Sequence, residues 1–366
     1  MKLKSISVTG LFGNTEPVRY NFNQDLNIIT GRNGSGKTTI LKLAWFIMSG
    51  NIYWALKEIN FKSCELVTSE YTCIVTKTVS MYCRIELNLS NGESYTFDDG
   101  GPNEENEWDE SSEEQAAQYL ISIGSSIFFP TFRRIEGGFS LETARRLKNG
   151  YRADGDVDTA LNALSKKMTN IDHLFIAAIS SQDINSILMR KFASLSEEIN
   201  VFQAEISRSI IDKIKKHQRA DGHDKNAETL LEETRAEIEK IETYRTEMMR
   251  PLETVRTLVQ KLFKHAGISF DKRLSFGDAA GAVTSDVLSA GEKQMLSFIC
   301  YNAFHQDAII FIDEPELSLH VDWQRKLYKI LKDQNSTNQF IFATHSPFIY
   351  SKYPDKEVAI GTDRGE

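Results

Sequence analysis

Gly31-Arg32-Asn33-Gly34-Ser35-Gly36-Lys37-Thr38 follows the run Leu26-Asn27-Ile28-Ile29-Thr30 and precedes Thr39 to Ser49, where Ile40, Leu41, Leu43, Ala44 and Ile47 recur at helical spacing. Gly31, Gly36, Lys37 and Thr38 satisfy the spacing G-x-x-x-x-G-K-S/T. A strand, a glycine-rich turn and a helix in that order form a phosphate cradle. Glycines let the backbone wrap so that several N–H groups point inward, and the following helix presents its positive end to an anion. Asn33, Gly34, Ser35, Gly36, Lys37, Thr38 and Thr39 are the candidate phosphate-binding residues. Lys37 is placed to reach the β- and γ-phosphates, and the Thr38 hydroxyl to ligate a Mg²⁺ ion. A chance glycine-rich turn would not require the flanking strand and helix.

Far along the chain stands Ala308-Ile309-Ile310-Phe311-Ile312-Asp313-Glu314-Pro315-Glu316. Its unbroken apolar run reads as a strand buried on both faces. Open α/β sheets place ligands at strand C-terminal ends, where Asp313 and Glu314 fall. Asp313 is the second candidate metal ligand and Glu314 the candidate general base. Alone, such a pair is as readily a solvated strand end. The phosphate loop supplies the reason to want a metal-binding strand.

Two further segments belong to the set. In Val287-Leu288-Ser289-Ala290-Gly291-Glu292-Lys293-Gln294, Ser289 reads as a helix N-cap with Glu292 as its capping-box partner. The segment is either an ordinary capped helix or a second anion-binding helix end. Phe340-Ile341-Phe342-Ala343-Thr344-His345-Ser346-Pro347 reads as a strand expected beside the Asp313 strand. His345 at its end is a candidate γ-phosphate contact; a lone histidine there is otherwise structural.

These four motifs, in this order, resemble the ABC-type ATPases of the SMC and RecF kind. The stretch Glu314-Pro315-Glu316-Leu317-Ser318-Leu319-His320-Val321-Asp322-Trp323-Gln324 resembles the OLD-type ATPases of bacterial anti-phage systems. The resemblance implies an α/β fold: an ABC-type head with a mixed sheet flanked by helices and an antiparallel β subdomain. It implies ATP and Mg²⁺ as ligands, sandwiched between protomers of a homo-oligomer. Lys37 and Thr38 of one copy would face Ser289, Gly291 and Glu292 of another, with Glu314 as catalytic base and His345 as switch. Leu317 to His320 would cross the interface. Ala290 departs from the glycine common in relatives. The family's Q-loop glutamine has no clear counterpart. The run Ile127-Phe128-Phe129-Pro130-Thr131-Phe132-Arg133-Arg134 is one candidate for that position, with Arg133 or Arg134 near the γ-phosphate or simply on a basic surface loop.

From about 183 to 262 the chain reads as helical. Leu188, Phe192, Leu195, Ile199, Phe202, Ile206 and Ile210 precede a polar break, and Leu231, Ile238, Ile241, Met248, Val255 and Leu262 follow it. Two stripes around a polar turn predict an antiparallel helical hairpin or a packed helical lid. Arms of about thirty residues would reach roughly 45 Å. The expected division is therefore 1–182 as the N-terminal lobe with the phosphate loop, 183–262 as the hairpin, and 263–366 as the C-terminal lobe. Leu3 to Thr9, Val18 to Phe22 and Tyr71 to Leu89 read as an antiparallel sheet. Asp98 to Glu114 is acidic and reads as a solvated loop, with mimicry of nucleic-acid charge as the sharper alternative.

The chain has 366 residues, 41% apolar, enough for one large domain or two lobes. Its net charge of −8 disfavours DNA binding over a broad surface. Lys213, Lys215, Lys216, His217 and Arg219 form the best local basic cluster, or else a solvated helix end. Four cysteines show neither metal nor disulfide spacing. With no signal peptide and no long apolar span, a cytoplasmic location is expected.

Three functions compete. The first is an ATP-driven sensor or scaffold of an anti-phage system. The stretch after His345 is too short for a nuclease domain, so the effector would act in trans. The arrangement resembles the ATPase of PARIS-type systems, whose partner is a TOPRIM nuclease. The ATPase of Septu or retron systems, paired with an HNH nuclease, is the near alternative. A phage-encoded trigger would be the sensed partner. The second is a RecF-like repair ATPase that binds DNA directly. The third, a transporter subunit, is disfavoured by the hairpin and by Ser-Ala-Gly-Glu in place of the usual transporter signature.

Overall fold

The computed structural model describes residues 1–78, 81–99, 110–131, 156–177, 181–219, 225–262, 289–334 and 336–361. The chain divides into two compact units, Met1–Ile179 with His305–Glu366, and Ser180–Phe304.

The first unit holds two six-stranded sheets. In chain order the strands are β1 (Leu3–Thr9), β2 (Val18–Asn21), β3 (Leu26–Thr30), β4 (Ser63–Thr68), β5 (Tyr71–Lys77), β6 (Cys83–Leu89) and β7 (Ser94–Asp98). They continue as β8 (Ser126–Phe129), β9 (His173–Phe175), β10 (Ile309–Asp313), β11 (Gln339–Ala343) and β12 (Glu357–Ala359). One sheet, ordered β2-β1-β4-β5-β6-β7, is antiparallel throughout. Its strands β4, β5 and β6 alternate buried residues with more accessible ones, the pattern of a sheet with one well-covered face. The other, ordered β12-β3-β11-β10-β8-β9, is parallel in every pairing. Its central strands β3, β8, β10 and β11 are buried at every position, which explains their continuous apolar runs.

Between the sheets runs α1 (Lys37–Met48), the helix that leaves the phosphate loop. A one-sided stripe was expected there. Instead Leu43, Ala44, Trp45, Phe46, Ile47 and Met48 are consecutive and all buried. A helix covered on all sides has no polar face. One apolar cluster takes in α1, the inner face of the antiparallel sheet (Ile6, Leu66, Val75, Ile85) and the parallel sheet (Ile29, Phe128, Phe311). Trp45 anchors it, with its ring 5.7 Å from Phe128 and 5.3 Å from Phe175. The short helices α2 (Ile52–Glu58), α3 (Ser112–Leu120) and α4 (Asp156–Met168) complete the unit.

The second unit consists of α5 (Ser181–Arg219), α6 (Lys225–Leu262) and α7 (Ala290–Phe304). The first two pack on each other as the expected hairpin, with Phe202 stacked on Tyr244 at 4.1 Å. The arms are longer than expected, 39 and 38 residues, or roughly 57 Å each at 1.5 Å rise per residue. Packing also departs from the apolar stripe. Leu231 is 71% and Ile238 52% exposed, while Thr234 and Glu237 of the same helix are half-buried. Glu237 Oε1 accepts from Lys213 Nζ at 3.2 Å, and Glu233 pairs with the same amine at 3.5 Å. An ion pair thus takes places in the seam that the pattern assigned to leucine and isoleucine. Among the described residues no helix is long and apolar enough to cross a membrane.

Candidate functional site

Because the central sheet is parallel, the C-terminal ends of β3, β8, β10 and β11 lie on one edge, where such sheets collect their ligands. The residues that follow these strands are Gly31 to Thr38, Thr131, Glu314 to Glu316, and His345. Register brings them level, since Asp313 pairs with Ala343 and Ile312 with Phe129.

In the phosphate loop two positions call for glycine, Gly31 by space and Gly36 by its left-handed backbone. A Cβ on Gly31 would lie 2.5 Å from Ile360 O and 2.6 Å from Ser35 Oγ. One on Gly36, whose φ is 96°, would lie 2.2 Å from Phe12 Cε2. Phe12 itself has φ 53° and is 60% exposed. Its ring therefore covers the start of α1, a neighbour that no local motif announces. Asn33 and Gly34 form the exposed loop tip, and Thr39 is half-buried in the first turn of α1.

Lys37 is buried, and its Nζ donates to the carbonyls of Gly31 and Arg32 at 3.0 and 3.1 Å. The same nitrogen lies 3.4 Å from His345 Nδ1. Burial pulls the ammonium pKa down, while Glu314, Asp313 and Glu316 oppose the shift. Asp313 is 1% exposed. Its Oδ1 accepts from Thr38 Oγ1 at 3.0 Å and its Oδ2 from Thr131 Oγ1 at 2.6 Å. Burial pushes the carboxyl pKa up; the hydrogen bonds from Thr131 and Thr38 hold it down, and the neighbouring Glu314 adds to the rise. Glu314 adopts φ 46°, ψ 57°, a left-handed conformation that costs a non-glycine residue on the order of 1 kcal/mol or more. Its N–H still closes the ladder to Ala343 O at 2.8 Å. The left-handed turn takes the chain out of the strand, and Glu314 Oε1 stands 3.8 Å from His345 Nε2.

A nucleotide–metal pair fits this donor set. The Ser35 hydroxyl is buried in the loop with no partner among the described residues, a donor suited to a phosphate oxygen. Thr38 and Asp313 offer hard oxygen ligands, the kind Mg²⁺ prefers. A divalent ion would also offset the burial that works against the Asp313 carboxylate.

Ser289, Gly291 and Glu292 lie in the second unit, at the start of α7. Glu292 Oε2 accepts from Ser289 N at 2.7 Å and from its Oγ at 2.8 Å, while Glu292 N donates back to Ser289 Oγ at 3.3 Å. That is the reciprocal capping box expected from the spacing.

Thr131 is the site residue that sequence reasoning passed over. It belongs to the run that is the candidate for the missing glutamine position, whose Arg133 and Arg134 lie outside the described residues. Most of the acidic stretch, 100–109, lies outside them too. At its ends, Asp99 accepts from Ser112 N at 2.6 Å and from Cys83 N at 2.8 Å. Cys83 Sγ and the carboxylates of Asp99 and Glu113 come within 4.8 Å of one another, but the Asp99 oxygens already accept from Ser112 N and Cys83 N. Lys213 of the basic cluster is committed to Glu237 and Glu233.

Comparison with solved structures finds SMC heads at low similarity. The Smc head with an extended coiled coil bound to the C-terminal domain of ScpA from Pyrococcus furiosus is 14% identical with a TM-score of 0.36, covering 96% of this chain and 91% of that one. The SMC head domain from Thermotoga maritima is 14% identical at 0.37, covering 96% and 92%. At such scores these likenesses add nothing to the architecture described above. A family model described as "AAA domain, putative AbiEii toxin, Type IV TA system" matches residues 26–351, from the strand that enters the phosphate loop to just beyond His345. Since that match spans most of the chain and includes every strand end gathered at the site, the protein belongs to this family of AAA-domain P-loop ATPases.

Proposed function

We propose that this chain binds ATP with Mg²⁺ and hydrolyses it, and that it serves as the sensor or scaffold of an anti-phage defence system whose toxic nuclease is a separate chain. The observation that carries the hydrolytic reading is the double hold on Asp313. Thr38 from the phosphate loop and Thr131 just after β8 fix a buried carboxylate beside Lys37. In this reading the loop amides, Ser35 and Lys37 hold the phosphates, and Thr38 and Asp313 hold the metal. The metal would neutralise phosphate charge and align the leaving group. Glu314 takes a proton from the attacking water, and His345 contacts the terminal phosphate from the facing side. Ser289, Gly291 and Glu292 of a second copy close the site, so ATP drives self-association.

The defence role rests on the family's description and on the resemblance of Glu314 to Gln324 to OLD-type ATPases. The net charge of −8 and the pairing of Lys213 favour a protein effector over direct DNA binding. The test is affinity purification of tagged Glu314→Gln protein from its native cells with ATP and Mg²⁺, followed by mass spectrometry and native mass measurement. A stoichiometric nuclease, of TOPRIM or HNH type, supports the reading. A bare oligomer holding DNA would replace it with a RecF-like repair role.

A further inference from the structure

We propose that Glu316 and Gln324 are positioning residues that latch the loop carrying His345 to the loop Leu317–His320, so that neither can move alone. This rests on the hydrolytic reading above for its consequence, but not for its geometry.

The two loops follow neighbouring strands, β10 and β11, and side chains span the gap at three places. Glu316 Oε1 accepts the backbone N–H of His345 at 2.6 Å. The Gln324 amide is used at both ends. Its Oε1 accepts from Ser346 Oγ at 2.6 Å, while its Nε2 donates to Leu319 O at 2.7 Å and Glu316 O at 3.3 Å. Beyond it, the Arg325 guanidinium sits 4.9 Å from the Phe348 ring centroid. Only an amide serves at the Gln324 position. A glutamate there has no donor for the Leu319 carbonyl, and an alanine has neither donor nor acceptor. Glu316 contributes an acceptor aimed at the main chain. Its other oxygen, Oε2, is buried with no partner among the described residues.

The latch converts small displacements of His345 into displacements of the Leu317 surface. Leu317 is 49% exposed at the end of a single 3₁₀ turn. Leu317 N and Leu319 N bond back to Glu314 O and Glu316 O at 3.3 and 3.2 Å, so the turn moves as a unit with the catalytic strand end. Phosphate contact at His345 is thereby felt at Leu317, and pressure on Leu317 from a partner is felt at His345.

The experiment uses the full chain and the variants Glu316→Ala, Glu316→Gln and Gln324→Ala. Two readouts are taken. The first is the His345 imidazole signal in ¹H–¹³C spectra of histidine-labelled protein, identified by its loss in His345→Gln. The second is steady-state ATP turnover with separate nucleotide-binding titrations. The signal is expected to move in Glu316→Ala and Gln324→Ala and to stay in place in Glu316→Gln, whose amide oxygen can still accept. Turnover is expected to follow, with kcat down on the order of tenfold and nucleotide affinity within about threefold of wild type. An unmoved signal in both alanine variants overturns the latch. A His345 signal displaced in Glu316→Gln as far as in Glu316→Ala also overturns it, because an accepting oxygen would then not suffice to hold the loop. A wild-type protein that does not hydrolyse ATP would remove the functional reading while the imidazole signal still decides the latch.

Discussion

Replacing Thr131 with valine keeps shape and removes one donor, and its effect can be worked from the geometry. Thr131 Oγ1 lies 2.6 Å from Asp313 Oδ2, and Asp313 is 1% exposed. A hydrogen bond to a charged group contributes about 1.5–3 kcal/mol. Without it Oδ2 is buried and bare. Burial already pushes the Asp313 carboxyl pKa up, and losing the Thr131 donor moves it further in the same direction. Mg²⁺ must then bind a carboxylate that holds its charge less readily and is no longer oriented by Thr131, and the penalty appears as lost metal affinity. At 1.36 kcal/mol per tenfold, Mg²⁺-dependent ATP affinity falls by about 10- to 100-fold. ATP affinity in EDTA, which depends on the loop amides and Lys37, stays within about threefold. The assay is titration of a fluorescent ATP analogue with and without Mg²⁺ for Thr131→Val and wild type. Equal Mg²⁺-dependent affinities would refute the argument, and so would a loss that is equally large in EDTA.

Further outcomes follow from the same structure. Lys37→Ala removes the cation that now satisfies Gly31 and Arg32 carbonyls, and nucleotide affinity should drop by about 10- to 100-fold in a binding titration. Gly36→Ala meets both a left-handed φ of 96° and the Phe12 ring, so nucleotide binding and melting temperature should fall together; trimming the ring in Gly36→Ala/Phe12→Ala should recover part of the loss. His173 is fully buried, with Nδ1 2.7 Å from Ser126 Oγ, and burial lowers its pKa from 6.5 to about 4. The unfolded imidazole takes up a proton below pH 6.5 and the folded one does not until about pH 4. Stability therefore falls as pH drops through that window, by up to about 3 kcal/mol, and His173→Gln should flatten that part of a urea-midpoint profile.

What could be read in advance divides along physical lines. β3, β10 and β11 were legible because strands buried on both faces write continuous apolar runs, and the phosphate loop because its glycines answer local steric demands. The hairpin was legible as two arms, since helical periodicity is a local signal. Leu231 and Ile238 were misread because periodicity cannot say which of two adjacent faces a partner helix covers. Here the more covered face carries Thr234 and Glu237. Thr131 was hidden because its partner Asp313 stands 182 positions away and meets it only through the pairing of β8 with β10. Phe12 was hidden because an exposed aromatic in a short 3₁₀ turn carries no pattern until the turn is folded onto α1. The capping box at Ser289 and Glu292 was legible in detail, being complete within four residues.

The most direct test of the central claim is phosphate release by wild type and Glu314→Gln under saturating ATP and Mg²⁺, with bound nucleotide measured on the same samples. Wild type is predicted to turn over. Glu314→Gln should retain ATP with affinity within about threefold of wild type while turnover drops by about 100-fold or more, the range expected for losing a general base. Glu314→Gln turning over at the wild-type rate would contradict the assignment of Glu314, and a wild-type chain that retains no ATP would contradict the site itself.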